Sequence, residues 1–375
     1  MKSTPVRFRS KIRTSGHELE SRVTPTVNAS TLIAIGSGPG MDATVRVLDV
    51  NGNVLDTFTA FPLQDGTQFQ GGVETAVGDI NGDNIPDIIC GAGPGGGPHV
   101  KVFNGADVLL GSPTPTVIRS FFAYESWFRG GVNVAAGDVN GDGLIDIVTG
   151  AGPGASPHVV AYSNGNDAEQ LMNFFPYDPS FRGGVHVACG DLGGDGIDDE
   201  VVCGAGEGGG PKIVLFNRVN ATTPTLASQR LAEFFAFDPA QRGGVYVAAG
   251  YTSNNRDQAN NRYEDIIAGT GPGVTAEVRV FRLLDALKDE LGNPNWQYSQ
   301  AATVNPYGDF AGGVRVGVVR NGIGDDFTTG AGPGGGPHFK IFNQTSVNDL
   351  ETYVPTQRFE AFEFDPSFLG GIYVS

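Results

Sequence analysis

Cysteine, histidine and charge are all scarce in this sequence. Of 375 residues, 3 are Cys, 5 are His and 17% are charged. Three cysteines without a CxxC pair leave no disulfide framework and no thiolate cage for zinc. "GxSxG" and "HExxH" are missing too, which removes the nucleophile elbow and the zincin helix. No apolar run approaches the ~18 residues that a membrane-spanning helix needs. Positive charge is the scarcer sign: 24 Lys and Arg stand against 41 Asp and Glu, a net charge of −17. Nucleic acid is a poor partner for such a chain, because phosphate binding needs clustered cations. Calcium suits it better.

What the sequence does contain is turn formers and Phe: 57 Gly, 23 Pro and 24 Phe. That mixture points to many short strands joined by tight turns. Residues 1–22 differ, with six Lys or Arg against two Glu. The segment 1–29 therefore reads as a basic N-terminal tail or export segment, although it lacks the apolar core of an ordinary signal peptide.

The stretch "GAGPGGGPHV" from Gly91 looks like a phosphate-cradling loop, but the following "HVKVFNG" has the period of a strand and opens no helix. The same word also recurs. "GxG" copies begin at Gly36, Gly91, Gly150, Gly204, Gly269 and Gly330, in steps of 55, 59, 54, 65 and 61 residues. A second word, apolar residues then "GGV", alternates with it from "FQGGVETAVGD" to the final "FLGGIYVS". Each period holds about four strand-length segments, which is a propeller blade. The first copy lacks its "GGV" strand and the last copy ends at it, so the two fragments complete one blade.

The expected fold is all-β: a six-bladed β-propeller of four-stranded blades over 30–375, its ring closed by pairing the C-terminal strand with the N-terminal blade. Blade 1 takes 30–69 plus 370–375, blade 2 takes 70–128 and blade 3 takes 129–181. Blade 4 takes 182–241, blade 5 takes 242–310 and blade 6 takes 311–369.

Between the first and second strands lies the most specific chemistry. "DINGDNIPD" and "DVNGDGLID" place oxygen donors at alternating positions of a tight loop, the arrangement that surrounds calcium. The expected ligands are Asp79, Asn81, Asp83, the Ile85 carbonyl and Asp87, and likewise Asp138, Asn140, Asp142, the Leu144 carbonyl and Asp146. Copy four, "DLGGDGIDDE", keeps Asp191, Asp195 and Asp199 but has Gly193 in place of Asn and one extra residue. About three calcium ions are expected. Copies five and six, retaining Asp265 and Asp326, read as metal-free.

Cys90 and Cys203 fill one repeat position and read as small buried core residues, with a Cys189–Cys203 bridge as the sharper alternative. Among polar residues, the position before the paired glycines is Arg in three adjacent blades: Arg129, Arg182 and Arg242. His99, His158, Lys212 and His338 follow the Gly-rich loops. Together they form a candidate ligand face for an anion, unless each Arg is paired locally. The aromatic strands read mainly as core, with Trp127 and Tyr124 as candidates for stacking on sugars.

A Phe-Gly word, then "GDxNGDGxxD", then "GAGP" resembles the FG-GAP repeat of the integrin α-subunit propeller and the related VCBS repeats of bacteria. The resemblance spans 30–375. It implies that the first strand lines the axis, that calcium sits on one face, and that the Gly-rich loops lie on the opposite, ligand-binding face. Integrin propellers have seven blades where six are counted here, and the family's inserted partner-binding domain is absent. The segment "HELESRVTPT" also looks like an export tag of bacterial surface proteins. The function so implied is a calcium-binding extracellular or cell-surface module for adhesion, without catalysis, whose partner is a protein or a glycan. The alternatives are a lectin that recognises acidic glycans through the Arg face and, further off, a polysaccharide-acting enzyme.

Overall fold

The computed structural model describes residues 31–63, 67–165, 169–218, 228–252, 263–288, 294–320, 324–345 and 354–375. The tail 1–29, the export-tag reading and most of the fifth inter-strand loop lie outside them. Blade 1 begins with β1 (Ile33–Ser37), β2 (Thr44–Leu48) and β3 (Val54–Thr59). Blade 2 is β4 (Val73–Gly78), β5 (Asp87–Ala92), β6 (His99–Phe103) and β7 (Val117–Phe122), with the short helix α1 (Gly105–Leu109) before β7. Blade 3 is β8 (Val132–Gly137), β9 (Asp146–Ala151), β10 (Val159–Tyr162) and β11 (Gln170–Phe174). Blade 4 is β12 (Val185–Gly190), β13 (Glu200–Ala205), β14 (Lys212–Arg218) and β15 (Ser228–Phe235). Blade 5 is β16 (Val245–Gly250), β17 (Asp265–Thr270), β18 (Val278–Lys288) and β19 (Pro294–Val304). Blade 6 is β20 (Val314–Val319), β21 (Asp326–Ala331), β22 (His338–Thr345) and β23 (Val354–Phe362), and β24 (Ile372–Val374) ends the chain.

Six four-stranded antiparallel sheets result, each in sequence order except the first, which runs β24-β1-β2-β3. This is the six-bladed propeller expected from the repeats. β24 pairs with β1 through Ile35↔Val374, Gly36↔Tyr373 and Ser37↔Ile372, so the first and last described strands share one sheet. The innermost strands touch in sequence around the axis, β4 with β8, β12, β16, β20 and then β24, and β24 meets β4 again.

Burial explains the strand composition. The second strands, such as "DIVTGA", are buried along their whole length between neighbouring blades, and so read as continuous small and apolar runs rather than alternation. Apolar clusters fill the seams. One unites Val148, Val159 and Met172 of blade 3 with Val185, Val201 and Val214 of blade 4. Another, Ile33, Ile35 and Leu48 with Val319, Phe339 and Ile341, seals blade 1 against blade 6. All three cysteines are buried and free. In the β12–β13 ladder Cys189 faces Val201 and Cys203 faces Val187, so the Cys189–Cys203 bridge considered from sequence is not formed.

The Gly-rich words answer to backbone packing. A Cβ on the second glycine of the word at Gly206 would stand 2.0 Å from the Gly183 carbonyl oxygen, and one at Gly152 equally close to that of Gly130. The last glycine of each word reaches across the seam. Its N–H donates to the carbonyl of the residue before the next blade's paired glycines, from Gly40 to Gln70 at 2.8 Å through Gly208 to Arg242 at 2.7 Å, ending with Gly334 to Leu369 at 2.8 Å. These amides are spent on protein carbonyls rather than on an anion.

Candidate functional site

The loops between first and second strands are organised by their own carboxylates. In blade 3, Asp138 accepts from the N–H groups of Gly141 at 2.8 Å, Asp142 at 3.1 Å and Gly143 at 2.8 Å. Asn140 accepts from the Asp142 N–H, and Asp142 from the Leu144 N–H at 2.9 Å. Blade 2 repeats this with Asp79 on the N–H groups of Gly82, Asp83 and Asn84, and with Asp83 on that of Ile85. The two loops share one register.

At the loop's far end, the first residue of the second strand differs in its satisfaction. Asp87 accepts from the backbone of Ile80, Asn81 and Gly105. Asp146 accepts the Asn164 N–H at 3.0 Å, and its Oδ2 is buried without a partner. Burial first, then Asp142 and Asp138, pushes the Asp146 carboxyl up to about 7. A buried carboxylate oxygen without a donor, felt electrostatically by Asp142 and Asp138 of the same loop, has the chemistry of a hard-cation ligand that prefers oxygen. Among the described residues no three His, Cys, Asp or Glu side chains converge as a metal cluster as they stand, because the carboxylates are turned onto the loop's own N–H groups.

Blade 4 departs further. Asp191 accepts from the N–H groups of Asp195 and Gly196, and Asp195 from that of Ile197, as in the other loops. The hydroxyl of Tyr251, from blade 5, donates to Asp191 at 2.7 Å. The strand-opening position falls to Glu200, opposite Gly190 in the ladder as Asp87 is opposite Gly78. Glu200 takes the Leu192 and Gly193 N–H groups, and Asp199 sits one residue outside with its Oδ1 buried and unpartnered. Burial and the neighbouring carboxylate raise both. Counting back from "GAG" finds Glu200, since "DIICGAG" and "EVVCGAG" align. On the same side of the ring, Arg320 of blade 6 bridges Glu264 at 2.6 Å and Asp198 at 3.1 Å, tying blades 4, 5 and 6 by ion pairs.

The residues of the candidate ligand face are bound locally. Nη1 of Arg129 donates to the carbonyls of Ser126 and Phe128, that of Arg182 to Pro179 and Phe181, and that of Arg242 to Pro239 and Gln241. Each guanidinium thus closes the turn that precedes it, while remaining exposed. The His and Lys residues stand at or just before the start of the third strands and meet the fourth strand of their own blade. His99 bonds Ser120 at 2.8 Å, His158 bonds Asn173 at 2.7 Å, Lys212 pairs with Glu233 at 2.9 Å and His338 with Glu360 at 3.5 Å. They form a row around the rim rather than one pocket.

A feature beside them was not anticipated. Phe122, Phe175, Phe235 and Phe362, at the end of the fourth strands, are 52%, 46%, 48% and 52% exposed. Three of them stack on the row: His99 on Phe122 at 4.8 Å, His158 on Phe175 at 4.7 Å and His338 on Phe362 at 4.5 Å between ring centroids. The doublets "FFAY", "FFPY" and "FFAF" contain the signal, since strand alternation turns one Phe inward and the next outward. Trp127 is exposed as expected, whereas Tyr124 is half-buried and its hydroxyl donates to the His158 carbonyl at 2.8 Å.

No protein-family model matches the chain. Over 241 residues, 58% of its length, it is 26% identical to integrin alpha-8 of Gallus gallus, of which it covers 22%. Among solved structures it is similar to an Agrocybe aegerita lectin that recognises non-reducing terminal N-acetylglucosamine, at 15% identity and a TM-score of 0.42, with 87% of this chain and 89% of the lectin covered. Sqt1 of Chaetomium thermophilum is similar at 16% identity and a TM-score of 0.43, with 88% of this chain and 84% of Sqt1 covered. No helix among the described residues is long and apolar enough to cross a membrane.

Proposed function

We propose that this propeller is a non-catalytic interaction module of the FG-GAP kind, stiffened by calcium and presented outside the cell or on its surface. The observation that carries the reading is the rim: one repeat position leaves a Phe half exposed in four blades, three of them stacked on a histidine. Exposed aromatic surface that recurs by design of the repeat favours a partner, protein or glycan, over chance exposure. Calcium is held by Asp79, Asn81, Asp83, Ile85 and Asp87, by Asp138, Asn140, Asp142, Leu144 and Asp146, and more weakly in blade 4 by Asp191 and Asp195, with Glu200 beside Asp199. Its affinity is roughly 10⁻⁴ to 10⁻³ M, as in other extracellular modules.

The purified chain, applied to a glycan array and to immobilised extracellular proteins in millimolar calcium, should show saturable binding that Phe175→Ser and Phe235→Ser together abolish. Binding that survives both substitutions refutes the rim. Release of unsaturated product from a polyuronide, read by absorbance, would make the chain an enzyme instead.

A further inference from the structure

On the side of the Gly-Pro loops the central channel opens into a funnel of about 220 Å³. Its collar takes the second residue of each innermost strand: Glu74, Asn133, His186, Tyr246, Arg315 and Tyr373. Every one of them stands opposite the first glycine of a "GxG" word in the ladder, so the geometry repeats while the chemistry changes at each blade. Two residues further along the same strands, the channel is lined by Ala76, Ala135, Ala188, Ala248 and Gly317, which are uniformly small. Along these strands the side chains differ at the collar position and are uniformly small two residues further on.

Arg315 is its centre. The side chain is 5% exposed, with its guanidinium carbon 3.7 Å from the ring centroid of Tyr373 and 5.7 Å from that of Tyr246. Nη1 donates to the Ile372 carbonyl at 3.0 Å, and Nε is buried without a partner. Among the described residues lining the funnel it is the only Lys or Arg. His186 packs on Tyr246 with ring centroids 4.4 Å apart and planes tilted by 46°, and burial pushes it down to about 3, so it is neutral. Burial pushes the Glu74 carboxyl up to about 8 against the pull of Arg315, so at neutral pH Glu74 supplies little countercharge. The aromatic cage already holds a cation whose Nε has no partner, and among the described residues the carboxyls lining the funnel are Glu74, held largely protonated, and the exposed Glu207 on its rim. A planar carboxylate matches the donor fork of a guanidinium. The volume is below that of pockets for drug-sized ligands.

We propose that this funnel binds a small carboxylate-bearing molecule the size of one sugar acid, with the carboxylate on Arg315 and hydroxyl groups on Asn133, His186 and Tyr246. The site is distinct from the Phe rim and from the cation loops, and either reading can fail without the other. Glu207 provides a handle. It replaces, on the funnel's rim, the proline found in the other blades as Pro39, Pro94, Pro153, Pro272 and Pro333, and it is exposed.

The test is calorimetric titration of the full chain with D-glucuronate and D-galacturonate, with D-glucose and sulfate as controls. At least one sugar acid should bind saturably and glucose should not. Arg315→Met, which keeps apolar volume between the tyrosines, should weaken binding at least tenfold, with folding checked by circular dichroism. Glu207→Lys, an exposed change that leaves the collar intact, should tighten binding several-fold even if the Met variant fails to fold. Silence of both sugar acids at millimolar concentration overturns the proposal, as does glucose or sulfate binding equally well, or an affinity indifferent to Glu207→Lys.

Discussion

If the Asp138–Asp146 loop is a cation site, its occupancy must be visible in how stability depends on pH. Asp146 is fully buried, and without a cation its carboxyl titrates at about 7 against a usual 3.8. The folded state then holds a proton that the unfolded state has already released. Stability is therefore fully present below pH 3.8 and is lost as pH rises toward 7. The gap corresponds to on the order of 4 kcal/mol at about 1.4 kcal/mol per tenfold change in proton activity. Roughly half survives once screening by solvent in the exposed loop beside it is counted. About 2 kcal/mol should move the melting temperature of a ring this size by roughly 3 °C. Calorimetry in chelator near pH 5 and near pH 8, repeated in millimolar calcium, separates this effect from others. Glu74 and Glu264, also raised by burial, slope the same way but belong to other parts of the ring and act in both arms. In calcium the extra slope should vanish, and in Asp146→Asn the blade 3 share of the chelator's effect should be lost while the loops of blades 2 and 4 keep theirs. Identical pH profiles with and without calcium would refute the reasoning.

The seams and turns make their own predictions. Gly206→Ala forces a Cβ to 2.0 Å from a backbone carbonyl and should cost more than about 3 kcal/mol by urea denaturation; an unchanged midpoint would mean the blades are not interlocked there. Arg320→Ala strips the buried Glu264 of its partner and, because the guanidinium is partly exposed, should cost about 1–3 kcal/mol, with most of the loss recovered when Glu264→Gln is added. Arg182→Ala should cost about 1 kcal/mol through its turn and leave binding of anionic glycans unchanged; a lost anion response would return that residue to a ligand site.

Much of this architecture can be read from spelling alone, because a repeat writes its geometry several times. The "GGV" strand missing at one end and present at the other is the β24–β1 pairing. What repetition conveys is the place of a residue along a blade; it is silent on distance from the axis. His99, His158, Lys212 and His338 are equivalent by period, yet they stand at or just before the start of third strands and meet their own blade's outer strand. Glu200 escaped notice because one inserted residue shifts the acid by a position, and only the ladder shows which carboxyl faces Gly190. The collar was hidden for the opposite reason. Glu74, Asn133, His186, Tyr246, Arg315 and Tyr373 share a position but no chemistry, and a search for sameness passes over them.

The strand borrowed from the far end also sets a timetable. As the chain leaves the ribosome, β1 emerges early but cannot be covered on its inner edge until β24 follows, 339 residues later in the case of Ile35 and Val374. Blades 2 to 6 are local and can form as they appear, since closing a long loop costs entropy that grows only with the logarithm of its length but must be met before its contacts form. Tyr373, which covers the Arg315 guanidinium, arrives on that same strand. The funnel is thus complete only once β24 is made, so a ring nascent or cut short before that strand would have its walls but lack the Tyr373 of its collar.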